Sequence, residues 1–161
     1  MKYTIYTDGA ASGNGSENCV CGWAYVVVGE DGQIYGEDSG AIHNGTNNIG
    51  ELTGIIQALY AAKFLEDNHK RVTICSDSAY CINGITSWRF NWRKNDWWRD
   101  SKKTQELKNR ELWIELDSLI DSDYMDFEKV KGHTGNKDWN DYVDKLAVEA
   151  VRREKECLKM N

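Results

Sequence analysis

The 161-residue chain predicts one α/β domain: a mixed β-sheet flanked by α-helices. Three observations lead there. Strand-like runs crowd the first forty residues with only short turns between them. Later strand-like runs are separated by segments whose apolar residues recur at helical spacing, the arrangement that joins strands through helices. A chain of this length with 40% hydrophobic residues suits a single core and excludes a disordered chain.

Residues 2–7 (KYTIYT) alternate and are β-rich, so they read as the first strand. The continuous apolar run 22–28 (GWAYVVV) predicts a second strand buried on both faces. Asp31-Gly32 is a turn signal, after which 33–39 returns as a third strand. Thr46, Asn47 and Asn48 offer capping side chains before Leu52, Ile55, Ile56 and Leu59, which share a helical face. The run 71–76 (RVTICS) is a fourth strand, and 78–83 a short helix expected to stop at Gly84. Leu112, Trp113, Leu116, Leu119 and Ile120 mark another helix, 125–130 a fifth strand, and Trp139, Val143, Leu146, Ala147 and Ala150 a last helix. The domain is expected over 1–152, followed by a charged tail at 153–161.

No apolar run is long enough to cross a bilayer, and the opening MKYTIYTDGAA lacks a signal core. Five cysteines cannot all pair, and none has zinc-site spacing, so reduced thiols in the cytoplasm are expected. Net charge is −6, which argues against a general nucleic-acid binder. The distribution argues otherwise. Residues 88–110 hold eight basic and three acidic residues, whereas the remainder holds 12 basic and 23 acidic. Within this segment, WRFNWRKNDWWRDSKK (88–103) carries four of the seven tryptophans.

Four carboxylates stand on or beside apolar faces: Asp8, Glu51, Asp77 and Asp144. An ionised carboxylate there is costly unless an arginine, backbone N–H groups or a metal compensates it. Converging acids suit a hard divalent cation. Each also has an ordinary reading. Asp8 could be a turn residue before Gly9, Glu51 a helix N-terminal acid in the first turn, Asp77 a helix cap and Asp144 a solvated side chain.

Taken together, TDGAASGNG (7–15), TNNIGEL (46–52), SDSAY (76–80), ITSWRFNW (85–92), LKNRELW (107–113) and KGHTGNKDWNDYVDKLA (131–147) resemble, in that order, the ribonuclease H type 1 family. The resemblance implies a ribonuclease H-like fold with a five-stranded mixed sheet. It implies an endonuclease that hydrolyses the RNA strand of RNA–DNA hybrids, leaving 5′-phosphate and 3′-hydroxyl ends. It places Asp8, Glu51, Asp77 and Asp144 on the family's metal-binding acids and His133 on its mobile histidine. Two Mg²⁺ ions, with Mn²⁺ as a substitute, would be held with Asp8 as the bridge. Asp144 would stand on the nucleophile side, Glu51 and Asp77 on the leaving-group side. Thr46 and Asn109 match a pocket for a DNA phosphate. Asn14, Asn47 and Asn48 match contacts to the RNA strand and its 2′-hydroxyls. Trp88 and Trp92, four residues apart and so on one helix face, match aromatics that pack on DNA sugars. Arg93 and Lys94 join Arg89, Arg99, Lys102 and Lys103 in a basic handle, with Trp97 and Trp98 as its anchors. No organic cofactor, no membrane and a monomer are expected.

The chain also departs from the family pattern. Asn44 stands where an arginine is common, Ala79 where a glutamine is common, and Gly50 where a larger apolar residue is common. The His133–Asp144 separation is about one residue longer than usual. A non-catalytic hybrid-binding module and a DNA-directed nuclease on the same fold remain as alternatives.

Overall fold

The computed structural model describes residues 1–13, 19–66, 71–131 and 138–160. Its sheet has five strands: β1 (Tyr3–Ser12), β2 (Val20–Gly29), β3 (Ile34–His43), β4 (Val72–Ser76) and β5 (Met125–Lys129). They lie in the order β3-β2-β1-β4-β5. β1, β2 and β3 pair antiparallel, while β4 runs parallel to both β1 and β5. The expected mixed sheet is therefore present, with a meander at one side and helix-linked strands at the other. Gly32, at φ 79°, makes the β2–β3 turn and donates its N–H to Gly29 O. The first three strands run longer than their apolar cores, so Asp8 falls inside β1.

The helices are α1 (Asn47–Glu66), α2 (Ala79–Asn83), α3 (Arg89–Lys94), α4 (Arg110–Leu119) and α5 (Trp139–Met160). Valines of β2 alternate between two cores. Val27 joins Ile5, Leu52, Ile55, Leu59, Ile74, Trp113 and Leu116 in the core under α1 and α4. Ala24, Val26 and Val28 join Val143 and Ala147 under α5. This is why the β2 sequence is apolar without alternation.

Three expectations change. Gly84 does not stop a helix: its φ/ψ of −61°/−44° is helical, and the chain continues through a π turn (Gly84–Trp88) into α3. The reason for glycine is packing. A Cβ at Gly84 would lie 2.1 Å from the ring of Trp113, a fully buried side chain. Glu51 sits in the second turn of α1, because the helix already begins at Asn47. The segment 153–160, expected as a charged tail, forms the last turns of α5, where Glu154 pairs with His43 at 2.7 Å and Lys155 bonds Ser12.

All five cysteines are free, and four of them are buried. No helix among the described residues is long and apolar enough to cross a membrane.

Candidate active site

Asp8 points from the middle of β1, where it is paired in register with Ala24, and is 5% exposed. The turn reading of Asp8 thus fails: Asp8-Gly9 is strand. Gly9 is needed because α1 lies directly on it. A Cβ there would meet Glu51 N at 2.6 Å, and one on Gly50 would meet Gly22 O at 2.7 Å. The departure at Gly50 therefore lets α1 settle onto the sheet and delivers Glu51 to Asp8. Thr46 starts this helix, accepting the Ile49 N–H at 3.3 Å.

Asp77 follows the last residue of β4. It is not the cap of α2, because Ser78 fills that role and accepts the Cys81 N–H at 3.2 Å. The Asp77 carboxylate is thereby left for the site. Ligand oxygens of Asp8, Glu51 and Asp77 all lie within 4.8 Å of one another. Asp144, half-buried on α5, is outside that trio, but its side chain acts on the Asp8 carboxyl and helps to raise it, so a fourth element contributes to the centre.

The electrostatics of this arrangement are unfavourable as it stands. Burial, then the charge of Asp77, pushes the Asp8 carboxyl up from 3.8. Burial, then the charges of Asp8 and Asp77, pushes Glu51 up from 4.5. Oε2 of Glu51 is buried and has no hydrogen-bond partner among the described residues. Buried polar atoms are almost always satisfied. An orphaned carboxylate oxygen facing two more carboxylates is what an all-oxygen divalent-cation site offers. The donor set fits such an ion.

The remaining expected residues are spread around this centre. Asn47 and Asn48 are exposed on the first turn of α1, three to four residues before Glu51 and so on its side of the helix. Asn109, at φ 60°, donates Nδ2 to the Tyr80 hydroxyl at 3.2 Å. Trp113 Nε1 donates to the same hydroxyl at 3.0 Å. Tyr80 is a residue the sequence reading missed, and only its place after the SDSA stretch could have flagged it. Trp88 is 40% exposed and its ring lies 5.9 Å from that of Trp92, which in turn packs edge-on against Trp113 at 5.1 Å. The two rings share one face, one outward and one leaning on the core. With Tyr80, Arg99, Glu106, Leu107 and Lys108 they line an open cavity of about 610 Å³.

The basic residues expected to form a handle differ in their surroundings. Arg89 is only 8% exposed and does not belong to the basic surface: it donates to Ile85 O at 2.5 Å and to Asp117 at 2.7 Å. Arg93 is half-exposed and also bonded to Asp117. Lys103 pairs with Asp96 at 2.8 Å, whereas Lys94, Arg99 and Lys102 are exposed without an ion pair among the described residues. Trp97 packs against the main core, and Trp98 closes the loop through a bridge to Glu106. Asn14 and His133 lie outside the described residues.

The RNase H family profile matches residues 1–152. The chain belongs to the RNase H family. Ribonuclease H of Treponema denticola is 41% identical to it, covering 95% of this chain and 99% of its own length. Ribonuclease H of Clostridium botulinum is 43% identical, covering 93% and 95%. Among solved structures, the crystal structure of LC11-RNase H1 in complex with RNA/DNA hybrid shares the fold. Its TM-score is 0.70 at 22% identity, covering 95% of this chain and 99% of that one.

Proposed function

We propose that this RNase H-family chain is an endonuclease that hydrolyses the RNA strand of RNA–DNA hybrids. The observation that carries the reading is the trio Asp8, Glu51 and Asp77, with ligand oxygens mutually within 4.8 Å and a buried Glu51 oxygen that has no partner among the described residues. Asp8, Glu51 and Asp77 would hold one divalent cation, and Asp8 with Asp144 a second. Mg²⁺ is the expected ion and Mn²⁺ its substitute. When bound, such a pair makes a water nucleophilic and stabilises the charge on the phosphate and on the departing oxygen.

The chain's own residues do the rest. The water oxygen forms a bond to phosphorus and the P–O3′ bond breaks, which leaves a 5′-phosphate and a 3′-hydroxyl. Carboxylates held on β1, on α1, directly after β4 and on α5 would fix such ions in place before substrate arrives, and positive charge placed in advance is the preorganisation that lowers a barrier. Asn47 and Asn48, exposed one turn before Glu51, supply amide groups for the 2′-hydroxyl that separates RNA from DNA at each sugar. Asn14 and His133 keep their proposed roles, in RNA-strand recognition and in late proton transfer or product release. Trp88 and Trp92 present ring surface to the DNA sugars, where a ribose would place a polar oxygen against an apolar face. Thr46 and Asn109 would hold a DNA phosphate. Arg93 and Lys94 supply positive charge beside them. The free thiols suit a reducing cytoplasm, and the protein is expected to act as a monomer without an organic cofactor.

A hybrid labelled on one strand at a time tests this. With Mg²⁺, the labelled RNA strand of the hybrid is cut and the DNA strand is not, while duplex DNA and duplex RNA stay intact. Cleavage of the DNA strand, or of duplex DNA at a similar rate, contradicts the reading.

A further inference from the structure

We infer that Asp117 is a positioning residue for the nucleic-acid surface, and that it presents Arg93 as a preset phosphate donor. This inference rests on the hybrid-nuclease reading and adds a residue and a specificity device to it.

Asp117 lies on α4 with its side chain 13% exposed. Its Oδ1 accepts from Arg89 Nη1 at 2.7 Å, and its two oxygens accept from Arg93 Nη2 at 2.5 Å and Nε at 3.1 Å. Both arginines belong to α3, four residues apart, so they rise on one helix face. The two do different work. Arg89 is buried, and its Nε reaches back to Ile85 O inside the π turn. It therefore stitches the π turn, α3 and α4 together. Trp88 and Trp92 flank this stitch in sequence, so their place over the cavity depends on it.

Arg93 has a side chain 50% exposed. Asp117 occupies one edge of its guanidinium by a two-point bond. The opposite edge, Nη1 and the outer hydrogen of Nη2, has no partner among the described residues. A planar guanidinium held by one edge offers the other as a fork for a phosphate. The Phe90 ring, 4.3 Å from Arg89 Cζ and 5.7 Å from Arg93 Cζ, shields the pair from the side. A free arginine would have to be ordered on binding, and this one is ordered beforehand. Lys94, next in sequence, has no such holder among the described residues and acts as a diffuse charge.

The inference makes a prediction opposite in sign to simple charge counting. Asp117→Asn removes one negative charge, so counting alone predicts tighter binding to a polyanion. Positioning predicts weaker binding. Hybrid affinity is measured by fluorescence anisotropy in EDTA, where no cleavage occurs, alongside the melting temperature of each variant. Asp117→Asn is expected to weaken binding by about three- to tenfold. Arg93→Lys keeps the charge but cannot be held by one edge and donate from the other. It is expected to bind as weakly as Arg93→Ala, with an unchanged melting temperature. In the Asp117→Asn background Arg93→Lys should cost almost nothing more, because the two changes break one device. In steady-state cleavage, KM should rise far more than kcat falls. Tighter binding by Asp117→Asn, or wild-type affinity in Arg93→Lys, overturns the inference. If Asp117→Asn does not fold, the Arg93→Lys and Arg93→Ala pair decides alone. Hybrid binding by the wild-type chain without cleavage would overturn only the nuclease reading. Absence of hybrid binding would overturn both.

Discussion

Two places in this molecule withdraw carboxylates from water, and they solve the problem in opposite ways. At Asp117 one carboxylate meets two guanidiniums. Burial alone would push its carboxyl up, but hydrogen bonds and charge from Arg93 and Arg89 outweigh this and hold it below its ordinary 3.8. At the centre of the sheet, Asp8, Glu51 and Asp77 meet mainly one another, and burial with mutual repulsion drives Asp8 and Glu51 up. The first site is electrostatically complete and belongs to the scaffold. At the second, the described residues leave the negative charge of three carboxylates without a facing cation of the chain's own. The lesson is that burial of an acid says little by itself; what faces it separates a strut from a reactive centre.

The largest effect that follows concerns this second site. Asp8→Asn keeps the shape but removes the carboxylate shared by all the others. Hybrid cleavage should fall by about a thousandfold or more, while hybrid binding in EDTA is largely kept. Near-normal turnover would break the contrast at once.

Next comes stability at the complete site. Asp117→Ala leaves Arg89 buried and unpaired, which should cost about 3–5 kcal/mol in a urea melt. A loss of under about 1 kcal/mol would mean the clasp is a surface ion pair of ordinary value.

Glu51→Gln should move stability the other way in the metal-free protein, raising it by about 1 kcal/mol at neutral pH. The sign follows from proton binding. With its carboxyl raised in the fold, Glu51 holds a proton that the unfolded chain releases near 4.5. Stability of the metal-free wild type therefore falls as pH rises above about 4.5, and Glu51→Gln flattens that fall. Asp117 contributes in the opposite sense: its stabilisation is present above 3.8 and is lost as pH drops through its depressed value. Thermal melts between pH 3 and 9 for the two variants read both signs.

A smaller effect separates Asp77 from the structural job the sequence left open to it. Ser78→Ala removes the α2 cap and should cost about 1 kcal/mol. Asp77→Asn should cost no cap energy, since Ser78 makes that bond.

The strands were legible because β2 holds a continuous apolar run, β4 is rich in β-branched residues and β1 alternates. Their full lengths were not, since Asp8 to Ser12 in β1 and Gly40 and Ala41 in β3 are polar or small and owe their extension to pairing with β2. The π turn was hidden because Gly84 answers to the ring of Trp113, which arrives some thirty residues later. At the candidate site, the acids could be named through the ordered motifs. That Asp8, Glu51 and Asp77 converge depends on close approach at Gly9 and Gly50, which spacing cannot show. The Asp117 clasp left no local signal: Asp117 sits in an unremarkable amphipathic helix, and Arg89 looked like one more surface cation.

The claim that the central carboxylates await a cation is tested most directly by Mn²⁺ binding, read as free Mn²⁺ by electron paramagnetic resonance without nucleic acid. The wild-type chain should take up Mn²⁺, and Asp8→Asn and Glu51→Gln should each bind it at least about tenfold more weakly. Equal Mn²⁺ uptake by all three proteins would contradict the account.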